Sequence, residues 1–418
     1  MTRERCVLAY SGGLDTSVAI RWLSDHLGYE VVTLSADLGE TGDIDSVAQR
    51  ALRTGAVAAH TVDARRIFAE EFCFPTLAAG SLYEGVYPLA TALARPLIAK
   101  LLVDVAREEG AIAVAHGCTG KGNDQVRFDV AVGALAPELR VVAPVRDWDM
   151  GRPQEIEYAS RHGIDVPVTH ESPYSIDANI WGRSIESGLL EDPWTAPPDD
   201  VFAWTAAPGD PRAEARDIVV GFECGVPVSI DDERLPAEAL VTRLNAIAGG
   251  AGVGRIDHVE NRLVGIKSRE VYEAPAATVL YLAHAALETL TLTRDVTQFK
   301  RAVADEWARL VYDGLWFGAL RTALGAFVES TQQHVTGTVR IHLEHGAAWV
   351  TGRRAEASLY EPELATYDRS YDVFDHSAAR GFIELFGLPL RTQTRTQGAL
   401  EDSEPLRVER RVHRAQRD

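Results

Sequence analysis

Ala9-Tyr10-Ser11-Gly12-Gly13-Leu14-Asp15-Thr16-Ser17 sets two glycines, a carboxylate and several hydroxyls between an apolar run, Cys6-Val7-Leu8, and a helical pattern from Val18 to Leu23. A strand that ends in a glycine turn and reopens as a helix makes an anion site. Glycine lets the backbone turn sharply with its N–H groups outward, and the helix start adds partial positive charge. A pyrophosphate suits such a cradle. The second dense cluster, His116-Gly117-Cys118-Thr119-Gly120-Lys121-Gly122-Asn123-Asp124-Gln125-Val126-Arg127-Phe128, follows another apolar run. Its glycines permit close backbone approach. Thr119, Asn123, Asp124 and Arg127 offer a hydroxyl, an amide, a carboxylate and a guanidinium fork, a set that can hold an amino acid.

The elements that must position these clusters are legible as periodicity. Residues 7–10, 31–36, 58–62, 112–115 and 141–143 read as buried strands, and 46–53 and 93–107 as helices. This alternation predicts an α/β fold built on a doubly wound parallel sheet, with ligands beyond the carboxyl ends of its strands, where both clusters fall. The pattern turns irregular over 167–173, and 193–200 is too proline-rich to continue it. Strands at 218–223 and 335–343 and helices at 237–248, 277–293 and 295–315 then predict an α+β region. The expected divisions are a nucleotide-binding domain at 1–168, a substrate domain at 169–365 and an arm with a polar tail at 366–418. From roughly Arg391 the chain is rich in Arg, Gln, Thr and Glu, which fits a disordered tail or an arm ordered on a partner subunit.

Composition narrows the function. A formal charge of −19 over 418 residues argues against a general nucleic-acid or anionic-membrane surface. No apolar run approaches the roughly 20 residues that cross a bilayer. The four cysteines, Cys6, Cys73, Cys118 and Cys224, show no zinc or disulfide spacing. A cytoplasmic protein acting on small molecules, with no metal site of its own, is the expectation. Neither the G-x-x-x-x-G-K-[ST] phosphate loop nor the G-x-G-x-x-G fingerprint is present, and Ala9 stands where a nucleophile elbow needs glycine.

The Ser-Gly-Gly-x-Asp-Thr-Ser pattern resembles the pyrophosphate loop of ATP pyrophosphatases, which cleave ATP to AMP and pyrophosphate while adenylating a substrate oxygen. Tyr83-Glu84-Gly85-x-Tyr87, Thr91 to Pro96, the run from His116 to Phe128, Pro173 to Asp177, Trp181-Gly182-Arg183-Ser184, and the stretch from Gly252 to Arg269 resemble, in order, the signatures of the argininosuccinate synthase family. The likeness runs from about Val7 to about Pro389. It implies an ATP-dependent ligase joining citrulline to aspartate through citrullyl-AMP. Ala9, Tyr10, Ser11, Gly12, Gly13, Leu14, Asp15, Thr16, Ser17, Ala36 and Gly117 would hold ATP, and Thr119, Asn123 and Asp124 the aspartate. Tyr87, Asn123, Arg127, Ser175, Ser184, Glu260 and Tyr272 would surround the citrulline, with Asp15, Asp124 and Arg127 closest to the chemistry. The charge on ATP leads us to expect Mg²⁺ carried on the nucleotide, and the resemblance also implies a homotetramer clasped by the C-terminal arm.

Several positions depart from the family pattern: Glu40 for the usual glutamine, Ala178 in Asp-Ala-Asn, Glu270 after Ser268-Arg269, and Ala274 in Glu-Ala-Pro. Glu40 and Glu270 leave open a paralogue that adenylates another ureido or amide substrate or accepts another amine. A nucleotide-binding homologue without turnover is the further alternative.

Overall fold

In a strand flanked on both faces by helices the central residues are buried, and β1 (Arg5–Ala9) is such a strand: Cys6, Val7 and Leu8 have no exposed surface. Cys6 and Leu8 point into one apolar layer with Val18, Leu23 and Trp148, whereas Val7 points into the opposite layer with Leu102, Val103 and Phe128. Around β1 the sheet adds β2 (Glu30–Asp37), β3 (Ala58–Asp63), β4 (Ala113–Ala115) and β5 (Arg140–Val142) in the order β3-β2-β1-β4-β5. Every pairing in it is parallel. The computed structural model describes residues 3–40, 42–165, 174–207, 209–210, 215–366 and 374–398. The irregular stretch at 167–173, Thr41 and the tail beyond 398 lie outside them.

The remaining strands are β6 (Ser175–Asn179), β7 (Gly182–Glu186), β8 (Arg216–Glu223), β9 (Val226–Ile230), β10 (Glu233–Arg234), β11 (Arg255–Asn261), β12 (Lys267–Glu273), β13 (Gly337–Glu344) and β14 (Ala347–Ala355). They form two antiparallel sheets, β11-β12-β7-β6 and β10-β9-β8-β13-β14. The α/β-then-α+β architecture expected from periodicity is the observed one. Differences are local. The strand expected from 335 starts at Gly337, the helix expected to reach 315 ends at Tyr312, and the helix Ala319–Gln332 was not anticipated. Nor was the sheet containing β6, β7, β11 and β12. Cys6 and Cys73 are buried free thiols, and burial pushes Cys6 up to about 12, so neither is an available nucleophile.

Contacts divide the chain into two compact units, Met1–Leu359 and Tyr360–Asp418. Within the first, the β6–β7 turn is fastened to the parallel-sheet region. Asn179 donates to the Ala90 carbonyl, the Trp181 indole donates to the Pro88 carbonyl at 3.0 Å, and Ile180 N–H donates to the Leu38 carbonyl at 2.8 Å. Gly39 permits that approach: at φ +99° a Cβ there would stand 2.2 Å from the Ile180 side chain. At the end of β12, fully buried Glu273 accepts N–H bonds from Ala203, Trp204 and Thr205 and pairs with Arg183 at 2.8 Å. In the second unit the stretch from Arg391 is helical to Gln397, and Phe382, Ile383, Leu385 and Phe386 on the helix Ala378–Phe386 are exposed.

Candidate active site

Strand order reverses between β1 and β4, so the chain leaves these two neighbours in opposite directions and opens a crevice at their carboxyl ends. Leu8 pairs with Ala115 in register, which sets the loop after Ala9 beside the loop after His116. Both clusters singled out in the sequence therefore border one cavity of about 830 Å³.

At one end, Gly13 is the N-cap of the helix Leu14–Leu27 and supplies no side-chain cap, so the first-turn N–H groups of that helix lack a capping side chain. Gly12 adopts φ +79°, and its carbonyl accepts from Arg50 Nη1 at 2.7 Å. Ser11 and Thr16 hydroxyls bond each other at 3.1 Å. Gly117 brings the second loop against the first: a Cβ on it would lie 2.9 Å from Thr16 Cγ2. That second loop is shaped by His116, whose Nδ1 accepts from Cys118 N–H at 3.2 Å, so that Nε2 carries the proton and donates to Asp129 at 2.9 Å. Gln125 braces it by donating to the Gly120 carbonyl at 2.6 Å.

The opposite wall comes from β6, β7, β11, β12 and the helix Arg294–Tyr312. Glu260, almost fully buried, accepts from the Tyr272 hydroxyl at 2.7 Å and the Tyr312 hydroxyl at 2.5 Å. Tyr87 stacks on Tyr272 with ring centres 4.3 Å apart. Asn123 donates to the Tyr312 hydroxyl at 2.8 Å and accepts from Leu263 N–H at 2.9 Å. Arg127 donates to Asp124 at 2.8 Å and to the Tyr312 carbonyl at 2.9 Å. Gly314, at φ +79°, lets the chain pass close to Arg127, because a Cβ on it would stand 2.8 Å from the Arg127 Cα. Burial would raise the Asp124 carboxyl, yet Arg95 and Arg127 outweigh it and hold it down to about 2.

Ala9, Tyr10, Ser11, Gly13, Leu14, Asp15, Thr16, Ala36 and Gly117 line the cavity, as do Thr119, Asn123, Asp124, Arg127, Tyr87, Ser175, Ser184, Glu260 and Tyr272. Two residues expected at the nucleotide do not. Ser17 is fully buried and its hydroxyl bonds Tyr10 at 3.0 Å, because its place on the helix faces the core. Gly12 lies against Val47, and its part in the loop is the backbone turn. Arg95, Asp177, Glu186, Arg262 and Tyr312 line the same cavity without having been assigned to it. Tyr312 carried no sequence signal, since it continues the apolar stripe of its helix.

Of the departures, Glu40, Ala178 and Glu270 line the cavity, whereas Ala274 is the N-cap of the helix Pro275–Thr291. Enclosure by the cavity wall, and then Asp177, push Glu40 up to about 7, with Arg95 opposing. Glu270 accepts from Arg262 at 2.7 Å, and Arg262 also bonds Glu186, so two carboxylates share one guanidinium. Burial, and then Glu186, push Glu270 up to about 9. A carboxyl raised from its ordinary value of 4.5 supports the fold below that value, and the support is lost as pH rises towards 9. Glu270→Gln cannot ionise. Its melting midpoint is therefore expected to match the parent near pH 5 and to exceed it by a few degrees at pH 9; midpoints that run parallel across this range would contradict the shared-guanidinium reading.

Burial, and then the neighbouring Asp15, push Glu155 up to about 8 beside the glycine loop. Among the described residues no group of three or more metal-ligating side chains is gathered. No described helix is long and apolar enough to cross a membrane.

The sequence profile described as "Arginosuccinate synthase N-terminal HUP domain" matches residues 5–165, and that described as "Arginosuccinate synthase C-terminal domain" matches 174–393. The chain is 56% identical over 398 residues to the argininosuccinate synthase of Oceanobacillus iheyensis, covering 95% of each chain. It is 56% identical to that of Symbiobacterium thermophilum over 95% of this chain and 99% of that one. With that of Rubrobacter xylanophilus it shares 58% identity over 93% of this chain and 94% of the other. Among solved structures, an NAD+ synthetase from Burkholderia pseudomallei is similar over 41% of this chain and 64% of that one, at 19% identity and a TM-score of 0.29. With both halves matched in order and relatives above half identity across nearly its full length, the chain belongs to the argininosuccinate synthase family.

Proposed function

We propose that the chain condenses citrulline with aspartate at the expense of ATP, releasing AMP and pyrophosphate, as a step of arginine biosynthesis. The observation that carries this reading is the single cavity bordered by an uncapped helix N-terminus, the loop from His116 to Asn123 and the Glu260–Tyr272 wall. A ureido carbon is a poor electrophile because both nitrogens donate into its carbonyl. Adenylation turns its oxygen into a leaving group: that oxygen attacks the α-phosphorus to give citrullyl-AMP, and the aspartate amine then attacks the carbon and expels AMP.

In this reading the glycine loop holds the phosphates, with Ala36 and Gly117 at the nucleotide. Thr119, Asn123 and Asp124 hold aspartate. Glu260 pairs with the citrulline α-ammonium and Arg127 with its α-carboxylate, while Tyr87, Ser175, Ser184 and Tyr272 orient the remainder. Positioning and stabilisation of phosphate charge supply the acceleration. Mg²⁺ on the nucleotide would offset that charge, and the Asp15 carboxylate, lining the cavity at the loop, is the hard oxygen donor suited to it. The setting we assign is the cytoplasm.

The test is acid-quenched AMP and pyrophosphate formation from MgATP, with citrulline and aspartate supplied together and each omitted in turn, and the product weighed by mass spectrometry. Argininosuccinate only with both is the expected result; AMP with a different acceptor, or none at all, would overturn the assignment. We further assign a homotetramer, supported by the exposed Phe382, Ile383, Leu385 and Phe386. Deleting residues 374–418 is expected to lower the number of subunits per particle obtained from light scattering, and four shortened subunits per particle would count against an arm that clasps a neighbour.

A further inference from the structure

An α-amine is largely protonated near pH 7 and an ammonium has no lone pair. The second half of the reaction therefore needs a proton acceptor at the amine, and none of the roles above supplies one. Two carboxylates stand together in the wall near Thr119 and Asn123. Arg95 Nη2 bonds Asp124 Oδ2 at 2.8 Å and also bonds Asp177 Oδ2, so both oxygens gather on one nitrogen. Both side chains line the cavity, and Asp177 keeps 29% of its side-chain surface open.

Their surroundings differ. Asp124 lies between two guanidinium groups, Arg95 and Arg127. Among the described residues Asp177, on β6, has a direct side-chain bond from Arg95 alone. Glu40 approaches it from the loop after β2, Asp124 and Arg127 from the helix Asp124–Leu135, and the Cys118 thiol from the loop after β4. Arg95 comes from the helix Ala90–Glu108. Burial, and then Asp124, push the Asp177 carboxyl up, with Arg95 offsetting only part, whereas Asp124 is held low. Two neighbouring carboxyls driven apart in this way divide the work: one stays ionised and holds a cation, the other exchanges a proton.

Resting on the ligase reading, we infer that Asp177 is a catalytic residue that takes the proton from the incoming amine while Asp124 holds it. The ammonium gives one proton to the Asp177 carboxylate, and the freed lone pair forms the bond to the adenylated ureido carbon. The carbon–oxygen bond to AMP breaks with its electron pair leaving on AMP. The second proton of the former ammonium, acidic in the tetrahedral adduct, passes to the departing phosphate, and the cation remains on the guanidinium product.

The test separates the two halves in Asp177→Asn, which keeps the size of the side chain and an oxygen acceptor for Arg95. Pyrophosphate formed from MgATP and citrulline alone should stay within about twofold of the parent. Transfer to aspartate should fall by at least about a hundredfold, the range of a lost general base. Hydroxylamine, uncharged at neutral pH, needs no such base and should capture the adenylate at the parental rate. Equal loss in both halves, or hydroxylamine slowed as much as aspartate, would show a structural role and overturn the inference. The same split in Glu40→Gln in place of Asp177→Asn would also overturn it, by moving the base to Glu40. Should the amide variant not fold, Asp177→Glu carries the test, with adenylation kept and only the aspartate step altered as the supporting result. A parent enzyme that forms no pyrophosphate from MgATP and citrulline fails at the ligase reading itself, which this arm reports separately.

Discussion

Gly12→Val is expected to lower AMP formation by about 10²–10³-fold, the cost of losing a preorganised donor to developing charge, while the protein stays folded. The backbone at Gly12 has φ +79°, a region a β-branched residue enters only under strain of about 1–3 kcal/mol. The new Cβ would stand 3.2 Å from Val47 Cγ1 and 3.4 Å from Arg50 Nη1. Relief of either contact rotates the Gly12–Gly13 peptide, breaks the Arg50 bond to the Gly12 carbonyl and turns loop N–H groups away from the cavity. Gly28→Val controls for strain alone. Gly28 has φ +73° at the far end of the same helix with open space around its Cβ position. It should cost stability and spare AMP formation. The readout is AMP by chromatography at saturating citrulline together with circular dichroism, and full activity in Gly12→Val would remove the loop from the nucleotide.

Both loops were legible because their chemistry is contiguous. Ser11, Gly12 and Asp15 fall within five residues and Thr119, Asn123 and Arg127 within nine, and the buried parallel strands before them are uninterrupted apolar runs. The opposite wall was not, for a physical reason. One face of the β6-β7-β12-β11 sheet borders a polar cavity, so Lys267–Glu273 and Ser175–Asn179 carry polar residues where a core-facing strand would show apolar alternation. Arg95 was hidden differently. It is one of three cations on the largely apolar helix Ala90–Glu108, with Lys100 and Arg107, and only the fold sets its side chain between Asp124 and Asp177. Ser17 shows the converse, since a hydroxyl in a motif cannot announce which side of its helix faces the ligand.

Arg127→Leu is expected to abolish measurable ligation, and Arg127→Lys to raise the citrulline KM by about 10–100-fold while retaining the fold. Arg127 is 4% exposed and lies over the Tyr312 ring at 4.8 Å. Leucine leaves Asp124 with Arg95 as its one guanidinium partner and the Tyr312 carbonyl without its donor. Breaking a buried pair in this way costs about 3–5 kcal/mol, so lost activity in that variant mixes stability with chemistry. Lysine separates them. It keeps the charge but presents a point ammonium where the fork reaches Asp124, the Tyr312 carbonyl and the α-carboxylate assigned to it, so one of the three must go unserved. The two partners within the protein are fixed by geometry, at 2.8 and 2.9 Å, and the ligand is the partner that can leave. The loss should therefore fall on citrulline KM with the ATP KM unchanged. An Arg127→Lys enzyme with a parental citrulline KM and a weakened ATP KM would instead place this guanidinium at the nucleotide.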